Sequence, residues 1–132
     1  MTGSVGGIER RGSGGPWEDL YGYARVVRTD GLAFVSGCTA TVDGAVVGVG
    51  DAAAQARTAF GIALEALDDI GIRPASVVRT RMYITRRNDA DAVGRVHGEL
   101  FGAVRPAATL VIVAGLLHPD HLVEVEVVAV TA

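Results

Sequence analysis

The chain has 132 residues and a mass of 13.6 kDa, enough for one domain with a core and too little for two. Twelve basic residues, all arginine, oppose fifteen acids for a net charge of −3, which argues against a dedicated nucleic-acid binder. The absence of lysine excludes a Schiff-base lysine and a Walker A phosphate loop.

Residues 1–20 lack the apolar core of a signal peptide and read as a flexible lead-in, which leaves residues 21–132 for the folded domain. Tyr23–Arg28 alternates as a strand and runs into Asp30-Gly31, a tight turn, with Leu32–Ser36 as its hairpin partner. Gly37 permits a bend or bulge, and Val42–Val47 around Asp43-Gly44 predicts a second, smaller hairpin. Asp51 caps a predicted helix over Ala54–Ile70, with Phe60, Ala63, Leu64, Leu67 and Ile70 on its apolar stripe and Gly71 as its stop. Val77–Thr85 returns to strand period. Asn88 then offers a cap for a helix over Asp89–Phe101, with Ala92, Val93, Val96, Leu100 and Phe101 inward. Ala107–Leu117 is a nearly unbroken apolar strand, and Val123–Val130 is the last.

The fold class is therefore α/β (α+β), a single domain in the order ββ-α-β-α-ββ. Right-handed crossovers would place both helices on one face of a mixed sheet. The other face is left uncovered, yet Thr109–Ala114 is apolar on both sides. A solvated face would not tolerate that, so other subunits are expected to cover it. A mean hydropathy of +0.34 is also high for a chain exposing all its surface, although no apolar run nears the roughly 18–20 residues of a membrane span.

Strand alternation puts Arg79, Arg81 and Tyr83 on one side of their strand, and Glu124 with Glu126 on one side of theirs. With Tyr23 and Arg25 they form a polar set that could bind a small metabolite between subunits; the alternative is a set of interstrand and intersubunit ion pairs. His118 and His121 flank Asp120 in a Pro-containing turn without a second cluster, so they read as a solvated loop and not a metal site. His97 reads as a boundary histidine. Cys38, the single cysteine, excludes an internal disulfide, fits a reducing cytoplasm, and reads as a packing residue.

The local strings, in their order, resemble the RidA/YjgF/L-PSP family. They are Gly22-Tyr23-Ala24, Val35-Ser36-Gly37, Ala54-Gln55-Ala56-Arg57, Val78–Ile84, Asn88-Asp89, Arg105-Pro106-Ala107 and Val123-Glu124-Val125-Glu126, covering about residues 21–131. The resemblance implies a chorismate-mutase-like fold, a homotrimer, and small-molecule ligands in clefts between subunits, without metal or organic cofactor. It implies hydrolysis of imines and enamines, as in 2-iminobutanoate/2-iminopropanoate deaminases. Carried over by position, it assigns Tyr23, Ser36 and Gly37 to the cleft and Glu124 to the handling of a water and its proton. The family's carboxylate-binding arginine falls on Ala108 and its cysteine on Leu110, so this chain resembles an arginine-lacking branch. Loss of a bidentate guanidinium there is worth several kcal/mol to a bound carboxylate. Arg25 and Arg81 are then the candidates for a relocated clamp. A hydrolytic deaminase and a non-catalytic metabolite-binding or interaction trimer both remain open, the second favoured if Glu124 is locked in an ion pair. Endoribonuclease activity, the L-PSP label, finds no support in the charge.

Overall fold

A computed structural model describes residues 2–131. Its main sheet has seven strands: β1 (Thr2–Val5), β2 (Ile8–Arg11), β3 (Val26–Arg28), β4 (Leu32–Thr39), β7 (Val77–Ile84), β8 (Ala107–Ile112) and β9 (Val123–Val130). Their spatial order is β1-β2-β3-β4-β9-β7-β8. All neighbours run antiparallel except β7 and β8. A separate hairpin joins β5 (Thr41–Val42) to β6 (Ala45–Val46), with Asp43 and Gly44 both at positive φ, as such a two-residue turn demands.

Helix α2 (Ala52–Asp68) carries the chain from β4 to β7, and α3 (Ala90–Phe101) carries it from β7 to β8. Asp51 does cap α2, accepting the Ala54 N–H at 3.0 Å. Asn88 does not cap α3: residues Arg87–Asp89 form a 3-10 turn, and Asp89 takes the cap position without a side-chain bond. Its carboxylate is instead paired with Arg86 at 2.8 Å. The core lies between α2 and α3 and one side of the sheet, where Val35, Phe60, Leu67, Ile84, Val96, Phe101, Val123, Val125 and Val127 are all buried. Leu100, expected inward, is exposed.

The first twenty residues are not a featureless lead-in. Gly6 and Gly7, both at positive φ, turn β1 into β2, and β2 pairs with β3. Pro16 then opens a short helix, α1 (Pro16–Tyr21), which Gly22 ends in the left-handed conformation. Glycine pairs and Pro-after-Gly were the signals, and composition masked them. The expected strand from Tyr23 is correspondingly shorter, beginning at Val26, and β8 stops at Ile112 instead of Leu117.

Two bulges set the registers. Ser36 and Gly37 together oppose one residue of β9, between the pairs Val35–Val127 and Cys38–Val125. A second irregularity turns Val78 outward, so that Val77 replaces it on the buried side with Thr80, Met82 and Ile84.

The open side of the sheet carries Phe34, 43% exposed, and Val111, 40% exposed. Ile112, on the other side of edge strand β8, is 42% exposed. The two-sided apolar character read from the sequence thus survives folding of the single chain.

Candidate functional site

Register places Arg79, Arg81 and Tyr83 of β7 across from Val128, Glu126 and Glu124 of β9. All lie on the side opposite the buried valines of β9, as the alternation predicted. The two glutamates then differ. Tyr83 donates its hydroxyl to Glu126, and Arg81 lies 4.0 Å from the other Glu126 oxygen. The hydrogen bond to Glu126 is the main reason the Tyr83 phenol is pushed up. Glu124, among the described residues, has no side-chain hydrogen bond or ion pair.

Glu124 instead lies over the β4 bulge. A Cβ built on Gly37 would stand 2.0 Å from Glu124 Oε2 and 3.0 Å from its Cδ. Glycine here is a matter of space, since its backbone is outside the left-handed region. Burial pushes the Glu124 carboxyl above the usual carboxylate range; the Arg25 guanidinium opposes this and the Glu126 charge adds to it.

Arg25 is committed to the protein. Its Nη1 donates to the carbonyls of Ser36 at 3.0 Å and Gly37 at 2.7 Å, and to Cys38 Sγ at 3.3 Å. Its Nε is 4.0 Å from Glu18, an acid on α1 that is almost fully buried. The guanidinium also sits 5.8 Å from the centre of the Tyr23 ring. The Ser36 hydroxyl donates to the Ala24 carbonyl at 2.7 Å, locking the bend to the segment before β3. Tyr23, Arg25, Ser36, Gly37 and Glu124 are thus gathered around one bulge.

Ala108 and Leu110 are not part of that group within one chain. They pair with Thr80 and Met82, which face the helices, so they lie on the opposite side of the sheet from Glu124. Arg105 is exposed at positive φ before Pro106 and lines a depression with His97, Phe101 and Gly102. A second depression, of about 340 Å³, lies between β2, β3 and α2 beside Arg11, Arg25, Glu65 and Asp69. Neither contains Glu124.

Burial pushes the Cys38 thiol up, against the pull of Arg25, so it is a packed thiol and not a ready nucleophile. His97 is bonded to Thr80 at 2.7 Å between Phe60 and Phe101, and its burial lowers its basicity. His118 accepts the Asp120 N–H, while His121 is buried and bonded to Thr41 at 2.9 Å. No cluster of three His, Cys, Asp or Glu that could hold a metal occurs among the described residues. Gln55 was visible only as part of a string. Fully buried, it donates to Gly48 O and Asp120 O and accepts the Leu122 N–H at 2.8 Å, fastening the loop before β9 to α2.

This sheet, with two helices on one side and polar groups around a bulge on the other, is matched over residues 18–131 by the family described as Endoribonuclease L-PSP. The chain belongs to that family, the RidA/YjgF group. It is 33% identical over 108 residues to the 3-aminoacrylate deaminase RutC of Acinetobacter baylyi, covering 81% of this chain and 85% of that one. It is 43% identical over 122 residues to a protein of Streptomyces coelicolor, covering 92% and 91%. A crystal structure from Mycobacterium tuberculosis, described as a member of the YjgF/YER057c/UK114 family, superposes with a TM-score of 0.85 at 38% identity, covering 94% of this chain and 99% of that chain. Among the described residues no helix is long and apolar enough to cross a membrane.

Proposed function

We infer that the protein is a homotrimer that binds a small metabolite in clefts between subunits and hydrolyses an imine or enamine there, with Glu124 as acid and base. The observation carrying this is the contrast between the two glutamates: Glu126 is tied to Arg81 and Tyr83, while Glu124 is half-buried, raised in basicity and unengaged. A carboxylate with a raised pKa is a better base than an ordinary glutamate and also keeps a protonated fraction nearer neutrality. In the reaction a water oxygen attacks the imine carbon while Glu124 takes the water's proton. That proton passes to nitrogen to give a carbinolamine; Glu124 then moves the hydroxyl proton to the amino group, the carbon–nitrogen bond breaks, and a carbonyl and ammonia result. An enamine first accepts a proton at carbon to become the imine. The chain's own residues supply all the groups these steps need, so no cofactor is called for. The deaminase named among the relatives acts on 3-aminoacrylate, an enamine by its name, which supports this class of substrate.

Assembly is supported by the open face. Phe34 and Val111 are exposed there, and Arg79 Nε is buried with no partner among the described residues, although Arg79 Nη2 reaches Thr109 at 2.8 Å. Sedimentation equilibrium should give about three times the 13.6 kDa chain mass. A stable, soluble monomer at micromolar concentration would refute the trimer.

Ala108 favours a second reading, a trimer that binds metabolites without turning them over. Against small 2-imino acids, such as those left by serine or threonine dehydration, turnover should be about 10²-fold or more below that of arginine-bearing relatives. A coupled assay of imine loss measures this, and an efficient rate would mean that another residue holds the carboxylate. The net charge of −3 gives RNA cleavage no support.

A further inference from the structure

The sequence offers Arg25 as a relocated clamp for an anionic ligand, but in the structure its Nη1 and Nε are turned to the protein. One nitrogen holds two carbonyls and a sulfur, and Nε faces Glu18. Glu18 is itself anchored: its carboxylate accepts the Ser13 N–H at 2.9 Å and the Ser13 hydroxyl, and it is 4% exposed. The carbonyls that Arg25 grips belong to Ser36 and Gly37, the bulge over which Glu124 is seated. We propose that Arg25 is a positioning residue, held by Glu18 of α1, that fixes the Ser36–Gly37 bulge beneath the Glu124 carboxylate and does not grip ligand.

This rests on the reading of Glu124 as the working acid and base, and it gives the N-terminal segment a task. Helix α1 brings a buried acid to a cation that would otherwise lie half-buried beside two backbone carbonyls alone. Nη1 grips both carbonyls while Nε, on the same rigid plane, faces Glu18, a spread of donors that a lysine ammonium does not reproduce. The groups that face Glu124 are Arg25 from the segment before β3, Cys38 and Gly37 on β4, Tyr83 on β7, and Glu126 on its own strand, itself paired with Arg81. Among them Arg25 is the cation acting directly on the carboxylate.

The test uses full-length protein with 13C at its glutamate carboxyl carbons, titrated by NMR, with steady-state kinetics alongside. In Arg25→Gln the midpoint of Glu124 should rise, since its neighbouring positive charge is gone, and kcat near neutrality should fall about tenfold or more with KM within about twofold. Arg25→Lys retains the charge and keeps the question open if Arg25→Gln fails to fold. In it the midpoint should stay close to the parent's while kcat still falls, because one ammonium cannot face Glu18 and grip both bulge carbonyls from a rigid plane. An unmoved midpoint in Arg25→Gln, with KM raised about tenfold in both variants, would make Arg25 a ligand clamp and overturn the proposal. The titration needs no turnover. A parent protein that hydrolyses nothing would therefore defeat the catalytic reading, while the spectrum alone still decides what Arg25 does to Glu124.

Discussion

Glu124→Gln is expected to lower turnover by about 10²–10⁴-fold while ligand binding survives, because glutamine keeps the shape and loses the basicity. Stability should move the other way. The folded protein raises the Glu124 carboxyl above its unfolded value, chiefly by burial, so the fold holds that proton more tightly than the unfolded chain does. Stability from this group is fully present below the unfolded value and is lost as pH rises through the raised one. At neutral pH the parent therefore carries the cost of a half-buried anion, and the glutamine variant does not. Calorimetry should show a melting temperature equal to or above the parent's at pH 7. A clear drop in melting temperature with undiminished turnover would show that the carboxylate is structural.

Gly37→Ala should produce a comparable loss of activity from a residue that has no functional side chain. The new methyl group would stand 2.0 Å from Glu124 Oε2, so the carboxylate must leave its place. The end of a glutamate can move at small energetic cost, and the backbone at this position is not left-handed, so folding should be little affected. Displacing a catalytic atom by about 1 Å can cost on the order of 10²-fold in rate. Kinetics and thermal melting on this single variant should therefore separate: turnover falls while melting shifts by only a few degrees. Full activity would mean that Glu124 does not work from its seat over the bulge.

The face bearing Arg79, Arg81, Tyr83, Glu124 and Glu126 was legible because a strand has a period of two. Strand β9 was bounded as Val123–Val130 from its alternation, and Asp51 and the Asp30-Gly31 turn did what such residues do. What the pattern could not tell is which of two acids on one face finds a partner. Register, set by the bulge at Val78, puts Arg81 across from Glu126, and Tyr83, though across from Glu124, reaches diagonally to Glu126 with its hydroxyl. A bulge is a one-residue event with no periodic signature, and Val78 looks like any other strand valine. The same limit hid the role of Arg25. Alternation gave it a direction, but its partners are carbonyls at the bend, and its acid, Glu18, comes from a helix that the glycine-rich N-terminus obscured. Ala108 illustrates a third limit. Its place in a string is plain, yet the sheet puts it on the side away from Glu124, so the two meet only if different subunits supply them.

The central claim, that Glu124 is the proton-handling group of an imine-hydrolysing cleft, is tested most directly by kcat/KM against pH for the parent and Glu124→Gln on the same small imine. The parent's rate should fall as pH drops and the base is protonated, with a midpoint above the ordinary glutamate value of about 4.3. That acid limb should be missing from the residual activity of the variant. A parent profile flat down to about pH 4, or the same limb retained in Glu124→Gln, would contradict the account.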